Sequence, residues 1–343
     1  MKNRRLGWVG AGVSIAIIAA IAARLDYPQL VLAFATARYI YLLPCIGLLL
    51  LGLVTRALRW RVLLSGGLTL RRAFSIMNAA YLVNGVLPLR IGELARIYLA
   101  TQVNPPVPVM KTTSTIIAER LLDLLAVSVM ALTALAFAPL RTEIRTAALI
   151  LGPLGIVGFL VLVVLARFRQ RPEQWVMGLS ERFPLLQRVS LVKLTGHFLD
   201  GVSPLAQARP LALALGFTVL SWGISTAAGY VLMFAFYDQP SVLATMLYIA
   251  AAAYAIAFPA LPGSVGTYEG AILIALDTLG YSVFVAGQIV PTALSFAVMV
   301  HAVNLMVHIG TGLVGFIQEG VSLRQLSDGI QQMNPPTSQD AIS

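Results

Sequence analysis

The sequence predicts an all-α polytopic membrane protein, arranged as an inverted repeat with two broken re-entrant helical hairpins. Three observations carry this reading. The first is composition: the 343 residues are 58% hydrophobic and only 11% charged. Counted with Gly and without Tyr, about 63% are apolar, where soluble domains hold about 45–50% apolar and about 25% charged residues. So much apolar surface has to be solvated by lipid. This excludes a soluble enzyme, a disordered chain and a disulfide scaffold; Cys45 is the single cysteine and can close no internal bridge. The second observation is that apolar runs recur at about 20 residues, the length of one crossing. The third is that two runs, half a chain apart, are interrupted by Pro and Gly.

The elements follow in order. Residues 6–23 form the first span, behind Lys2, Arg4 and Arg5. A basic start followed by an apolar run is also the pattern of a cleaved leader. This run is longer than a leader's apolar region and more spans follow, so a retained anchor is expected. Residues 39–55 form the second span, followed by Arg56, Arg59, Arg61, Arg71 and Arg72. Residues 73–102 are interrupted at Leu87-Pro88-Leu89-Arg90-Ile91-Gly92-Glu93. Each arm is too short to cross, so the stretch reads as a hairpin of two half-helices. Residues 112–138 and 146–166 cross next. The basic stretch 167–209 has loose helical spacing and is expected to form surface amphipathic helices. Residues 210–236 form another span. Residues 241–279 are the second broken stretch, interrupted from Pro259 to Gly266. Residues 283–318 read as one long, tilted or kinked span containing Pro291. The expected organisation is a single membrane domain over 1–320. Its inverted halves lie at about 39–138 and 210–318, joined through a cytoplasmic amphipathic linker at 167–209. A polar, disordered tail follows at 321–343.

The net charge of +10 would suggest nucleic acid in a soluble protein. Its distribution points elsewhere. With the N-terminus inside and each broken stretch returning to its own side, sixteen basic residues fall inside and four (Arg24, Arg38, Arg141 and Arg145) outside. That asymmetry is the positive-inside pattern, with affinity for anionic headgroups as its corollary. The expectation is a multi-pass protein of the inner or plasma membrane, both termini cytoplasmic, with no nucleic-acid partner.

The two breaks share a pattern of Leu-Pro, then Gly four residues after the Pro, then Glu. Pro and Gly free backbone groups that survive at membrane depth only when buried in protein or lining a wet cavity. Interrupted helices at matching positions of two halves point to a transporter's midplane site. The ionisable residues of the apolar zone gather beside these breaks, where such groups are costly and usually functional. Arg90, Glu93 and Arg96 follow the first break, with Asn84 just ahead of it. Glu119, Arg120 and Asp123 lie on the next span, Glu119 and Asp123 on one face and Arg120 turned by about 100°. Tyr268 and Glu269 follow the second break. His301, Asn304 and His308 form one polar stripe on the last span. Two readings of these charges remain open: an internal salt-bridge network that fixes the fold, and a cavity whose Arg residues hold phosphate while Glu or Asp carry protons. No Gly-rich phosphate loop, nucleophile elbow or zinc signature is present, so no cofactor and no metal is expected.

Three of these segments resemble one known family. Asn84-Gly85-Val86-Leu87-Pro88-Leu89-Arg90-Ile91-Gly92-Glu93-Leu94-Ala95-Arg96 is similar to the N-x-x-L-P-x-R-x-G-E-x-x-R signature of the flippase-like membrane domain found in lysylphosphatidylglycerol synthases. Glu119-Arg120-Leu121-Leu122-Asp123 resembles that family's E-R-x-x-D element. Residues Pro259 to Glu269 resemble its P-x-x-P-G-G-x-G-x-x-E element, with Ser264 in place of the second Gly. The resemblance covers roughly residues 6–320 and implies a lipid-translocating or lipid-handling module. The cytosolic domain that makes the aminoacylated lipid in the bifunctional synthases has no counterpart in the 25 residues after 318, so synthesis of that lipid is not expected. Free-standing members are linked with other lipids, including hopanoid-type and polyprenyl-phosphate-linked ones.

The expected function is therefore a lipid transporter, not an enzyme, moving a phospholipid, hopanoid or polyprenyl-linked lipid between leaflets. Its partners are lipids with phosphate- or amine-bearing headgroups, with proton or ion coupling and a separate lipid-synthesising enzyme. Arg90, Arg96 and Arg120 would hold phosphate. Glu93, Glu119, Asp123 and Glu269 would pair with them, bind a cationic headgroup or couple to protons. The alternative is an intramembrane transferase acting on a polyprenyl-phosphate donor, with Glu93 or Asp123 as general base. A third class is a structural or regulatory membrane partner without turnover.

Overall fold

The computed structural model describes residues 15, 17–23, 26–86, 91–137, 142–182, 191–257, 262–285, 288–321, 325, 326 and 328. The predicted start of the first span, the Leu87–Arg90 and Pro259–Leu261 breaks and nearly all of the polar tail lie outside these residues. Residues 17–22 are helical. Among the described residues twelve further α-helices follow, together with one short ribbon. Helix α1 is Tyr27–Ala35. A 3-10 turn over Tyr39–Tyr41 leads into α2, Leu42–Leu63. The first broken stretch gives α3, Leu70–Val86, and α4, Gly92–Thr101. Then come α5, Val109–Phe137; α6, Thr142–Arg167; α7, Gln170–Arg182; and α8, Leu191–Val202. Helix α9 is Ala208–Met233. The second broken stretch gives α10, Val242–Ala257, and α11, Thr267–Thr278. Helix α12 is Pro291–Glu319.

Among the described residues three helices are long and apolar enough to cross a membrane: Tyr39–Leu63, Ala208–Met233 and Pro291–Glu319. A fourth follows if the pair Pro153–Arg167 and Gln170–Gly178, bent by 81°, counts as one span. At 1.5 Å per residue α2 is about 33 Å long, matched to a hydrocarbon core of about 30 Å. Helix α5 has the length to cross and carries Lys111, Glu119, Arg120 and Asp123 in its first half. Large apolar side chains remain exposed on α6, among them Leu149, Ile150, Val157 and Leu160. The protein is a membrane protein, and lipid covers such faces.

Four expectations change. Helix α2 does not end near residue 55 but continues to Leu63, so Arg56, Arg59 and Arg61 are helical. Arg59 is 2% exposed, which removes it from the surface-marking charges. Pro291 does not kink a span begun at 283. It stands at the first turn of α12, where its missing N–H costs no hydrogen bond. The residues before it pair as a two-stranded ribbon, Phe284–Val285 with Gln288–Ile289. In the stretch 167–209, α8 is not merely a surface helix. Leu199 and Val202 are buried against α5 and α6, because Gly201 lets α8 close on Lys111 and Ser114.

Small residues set the closest helix approaches. Helix α12 packs along α3 through Gly312 and Gly315, where added Cβ atoms would meet Leu82, Asn78 and Ser75. The Ser75 hydroxyl donates to the Gly315 carbonyl at 3.1 Å, and Thr311 donates to the Asn78 side-chain oxygen at 3.0 Å. Small residues and hydroxyl bridges of this kind hold helices together where lipid supplies no hydrophobic drive. The two broken stretches also meet. A Cβ on Gly263 would lie 3.4 Å from the Gly85 carbonyl oxygen. Replacing Gly315 by Val should therefore force α3 and α12 apart, at about 1–3 kcal/mol. The measurement is the thermal unfolding midpoint of purified protein in detergent, with Gly310→Val, which has open space, as the comparison. Equal midpoints for the two would contradict the packing.

Candidate functional site

The polar centre is built from the end of α2 outwards. Arg59 sits among apolar neighbours and is a permanent cation, so its charge must be answered inside the protein. Helix α5 answers it twice, because Glu119 and Asp123 are one turn apart on one face. The Arg59 guanidinium donates Nη1 to Asp123 Oδ1 at 2.7 Å and Nη2 to Oδ2 at 3.2 Å, a bidentate fork. Its Nη1 also donates to Thr218 Oγ1 at 3.1 Å, and its Nε lies 3.7 Å from Glu119. Trp222, one turn after Thr218 on α9, donates its indole N–H to Asp123 Oδ1 at 3.0 Å. Helix α4 joins through Arg96, whose Nη1 is 2.6 Å from Glu119 Oε2 and whose guanidinium lies 3.8 Å from the centroid of Trp60. Trp60 in turn donates to Thr115 at 3.1 Å. Residues of α2, α4, α5 and α9 thus converge on four charges.

Beside this network lies a cavity of about 530 Å³, within the range of small-ligand sites, about 300–1,000 Å³. Most of its wall is apolar. Its polar lining includes Arg56, Arg120, Asp123 and Trp222, and also Tyr268, His301, Asn304 and His308. The ends of both broken stretches reach it, through Asn84 and Gly85 and through Gly263 and Ser264. Arg120 lies 3.4 Å from Glu93 and 3.9 Å from Asp123, without the tight fork that holds Arg59.

The second break has its own lock. Gly266 adopts φ 87° and Gly263 φ 68°, the left-handed region open to glycine. Ser264, where the related pattern has Gly, also takes a positive φ, 60°. Glu269 Oε2 accepts the Gly266 N–H at 2.7 Å, and Oε1 lies 2.6 Å from His301 Nδ1. The Tyr268 ring stacks on His301 with centroids 4.5 Å apart. Glu269 therefore fastens the start of α11 to α12.

Of the candidate residues, Asn84, Arg120, Asp123, Tyr268, His301 and Asn304 line the cavity. Glu93 pairs with Arg120 beside it, and Arg96, Glu119 and Glu269 are buried. Arg90 lies outside the described residues. Asn84 is tied to the first break, accepting the Gly92 N–H at 2.8 Å. Asn304 donates to the Val300 carbonyl at 2.8 Å. Sequence reasoning passed over Arg56, Arg59, Trp222 and Ser225. The available signal was the continuation of helical apolar spacing through Trp60, Leu63 and Leu64.

A family model, the lysylphosphatidylglycerol synthase TM region, matches residues 7–312. The chain belongs to this family. No curated protein and no solved structure matches it. The residues that carry the resemblance divide by location: Arg96 and Glu119 lie in the buried network, Arg120 lines the cavity, and Asp123 belongs to both.

Removing one partner of a buried charge pair strands the other, at about 3–5 kcal/mol. Arg59→Ala, which strips Asp123 of its bidentate partner and leaves Glu119 to Arg96 alone, should destabilise the fold by about this much. Trp222→Phe, which removes one hydrogen bond to a charged group, should cost about 1.5–3 kcal/mol. Thermal unfolding in one detergent compares the two. Arg59→Ala unfolding no earlier than Trp222→Phe would contradict the assigned hierarchy.

Proposed function

We propose that the protein is a lipid transporter that passes a lipid headgroup between leaflets through the cavity beside the two helix breaks, leaving the lipid chemically unchanged. The observation that carries this reading is a cavity with polar residues in an otherwise apolar wall, reached by both broken stretches. A headgroup needs polar partners at membrane depth, while the acyl or isoprenoid chains can stay in lipid. Membership in the lysylphosphatidylglycerol synthase TM family supports a lipid-related role. On this reading the pairs α3–α4 and α10–α11 are re-entrant hairpins of an inverted repeat, whose meeting at Gly85 and Gly263 sets the midplane site. The protein lies in the inner or plasma membrane with both termini cytoplasmic. The lipid is a phospholipid, hopanoid or polyprenyl-linked lipid delivered by a separate synthesising enzyme, and movement is driven by a proton, ion or lipid gradient. Arg120 and Asp123 meet the headgroup, while Glu269 and His301 hold the second break in place.

The test is leaflet exchange of a fluorescent phospholipid in proteoliposomes, followed by quenching from outside. Wild-type protein should speed exchange over protein-free vesicles. Arg120→Ala and Glu269→Ala should each lower it at least about tenfold, the effect of removing one interaction of about 1.4 kcal/mol, with monodisperse elution retained. Exchange unchanged in both variants would overturn the site. A lipid recovered covalently altered would overturn the transport reading in favour of a transferase.

A further inference from the structure

Among the described residues two guanidinium groups line the cavity, Arg56 and Arg120, and they are answered differently. Arg120 has Glu93 and Asp123 within 4 Å. Arg56, one turn before Arg59 on α2, pairs with no carboxylate among the described residues. Its contacts are the Ser225 hydroxyl, 3.4 Å from Nη2, and the Trp222 ring, whose centroid is 5.7 Å from its guanidinium carbon. Neither contact carries a negative charge.

The nearby acids are already committed. Asp123 accepts two hydrogen bonds from Arg59 and one from Trp222. Glu119 serves Arg96 and Arg59 from a position 3% exposed. Among the described residues of this section four guanidinium groups, Arg56, Arg59, Arg96 and Arg120, stand against three carboxylates, Glu93, Glu119 and Asp123. Glu269, the remaining acid near the cavity, is held by the Gly266 N–H and His301. Trp222 also fixes where Arg56 sits: the ring that carries the guanidinium is anchored by its own N–H to Asp123. Arg56 is thereby kept at the wall as a cation in excess of its local acids. A cation beside an apolar cavity at membrane depth calls for a counter-charge, and a guanidinium fork matches phosphate oxygens.

We propose that Arg56 is an anion-binding residue of this cavity and that, with Arg120, it holds a phosphate monoester or diester. The inference rests on the transport reading for the source of that phosphate, a lipid headgroup, and on the geometry for the anion site itself. It assigns selectivity: lipids with an anionic phosphate bind, and uncharged lipids of the same chain length do not.

The test is equilibrium binding to the full chain in a nonionic detergent, followed by calorimetry. The probes are dihexanoyl phosphatidate, inorganic phosphate and dihexanoylglycerol. Phosphatidate should bind saturably and dihexanoylglycerol should not. Arg56→Gln should weaken phosphatidate binding at least about tenfold, as expected for loss of a hydrogen bond to a charged group. Arg56→Lys, which keeps the charge and loses the fork, should fall between. Arg209→Gln, an exposed position, should bind as wild type does. Inorganic phosphate binding that depends on Arg56 would support the anion site and show the free ion to be a sufficient ligand. Equal affinity for dihexanoylglycerol, or wild-type phosphatidate binding by Arg56→Gln, would overturn the inference. If Arg56→Gln does not elute as a monodisperse species, Arg56→Lys decides, and its binding phosphatidate as wild type does would overturn the fork. Arg56-dependent binding without leaflet exchange would overturn the transport reading and leave this inference standing. Leaflet exchange with binding independent of Arg56 would do the reverse.

Discussion

A guanidinium that cannot lose its proton, placed at a position 2% exposed, constrains the rest of this structure. Arg59 sits at the end of the apolar helix α2, and burial there is tolerable only if acceptors arrive in the right places. Asp123 meets the fork bidentately, Thr218 of α9 accepts a second hydrogen bond from Nη1, and Glu119, one turn away on the same face of α5, lies 3.7 Å from Nε. A one-residue rotation of α5 would turn both carboxylates away by about 100°. The pair therefore sets the rotation of α5 against α2, and Trp222 sets that of α9. Buried ion pairs add little net stability compared with apolar packing, while breaking one is expensive. Their effect here is on register: few arrangements of these helices leave no charge stranded.

The second half of the molecule reaches the cavity by different means. Gly312 and Gly315 bring α12 against α3, and this puts Asn304 and His308 on the cavity wall beside Asn84. Glu269 joins the turn at Gly266 to His301. One side of the cavity is thus ordered by charge and the other by close backbone approach together with one carboxylate–imidazole contact. The apolar cluster holding Tyr248, Phe296 and Leu276 packs α9, α10, α11 and α12 together, and Tyr248 and Val300 carry it to the cavity wall.

Much of this was legible in the sequence because it depends on local spacing. The i, i+4 placement of Glu119 and Asp123 and the offset of Arg120 come directly from 3.6 residues per turn. The Pro and Gly that interrupt both broken stretches act on their own backbone. What was not legible depends on partners distant in the chain. Arg56 and Arg59 look like an ordinary basic cluster after a span, because positive-inside counting weighs Arg by sequence position alone. Only the fold shows that Asp123, 64 residues away, draws Arg59 inward. The ribbon before Pro291 was hidden for another reason: a short run such as Val283-Phe284-Val285 fits a strand or a buried helix equally well. Ser264 stands where the related pattern has Gly, and its φ of 60° shows that the exchange carries a backbone cost, about 1–2 kcal/mol for a non-glycine residue.

The same geometry separates charges that build the fold from charges left for something else. Arg59 has both terminal nitrogens in short hydrogen bonds, and Arg96 has a 2.6 Å contact and an aromatic face. Both are nearly inaccessible, so a ligand could reach them only by dismantling the contacts between α2, α4, α5 and α9. Arg120 lies 3.4 and 3.9 Å from its acids, close enough for their field to stabilise it and too far for a tight fork. Arg56 has a hydroxyl and a ring. On the proposed transport reading, a site that takes up a headgroup and releases it on the other side cannot satisfy its cations completely beforehand, since every strong internal bond would have to be broken on binding. Nor can it leave them bare at membrane depth. Loose pairing for Arg120 and neutral contacts for Arg56 lie between these limits, and the tight Arg59–Asp123 fork beside them keeps that intermediate state from collapsing into ordinary salt bridges.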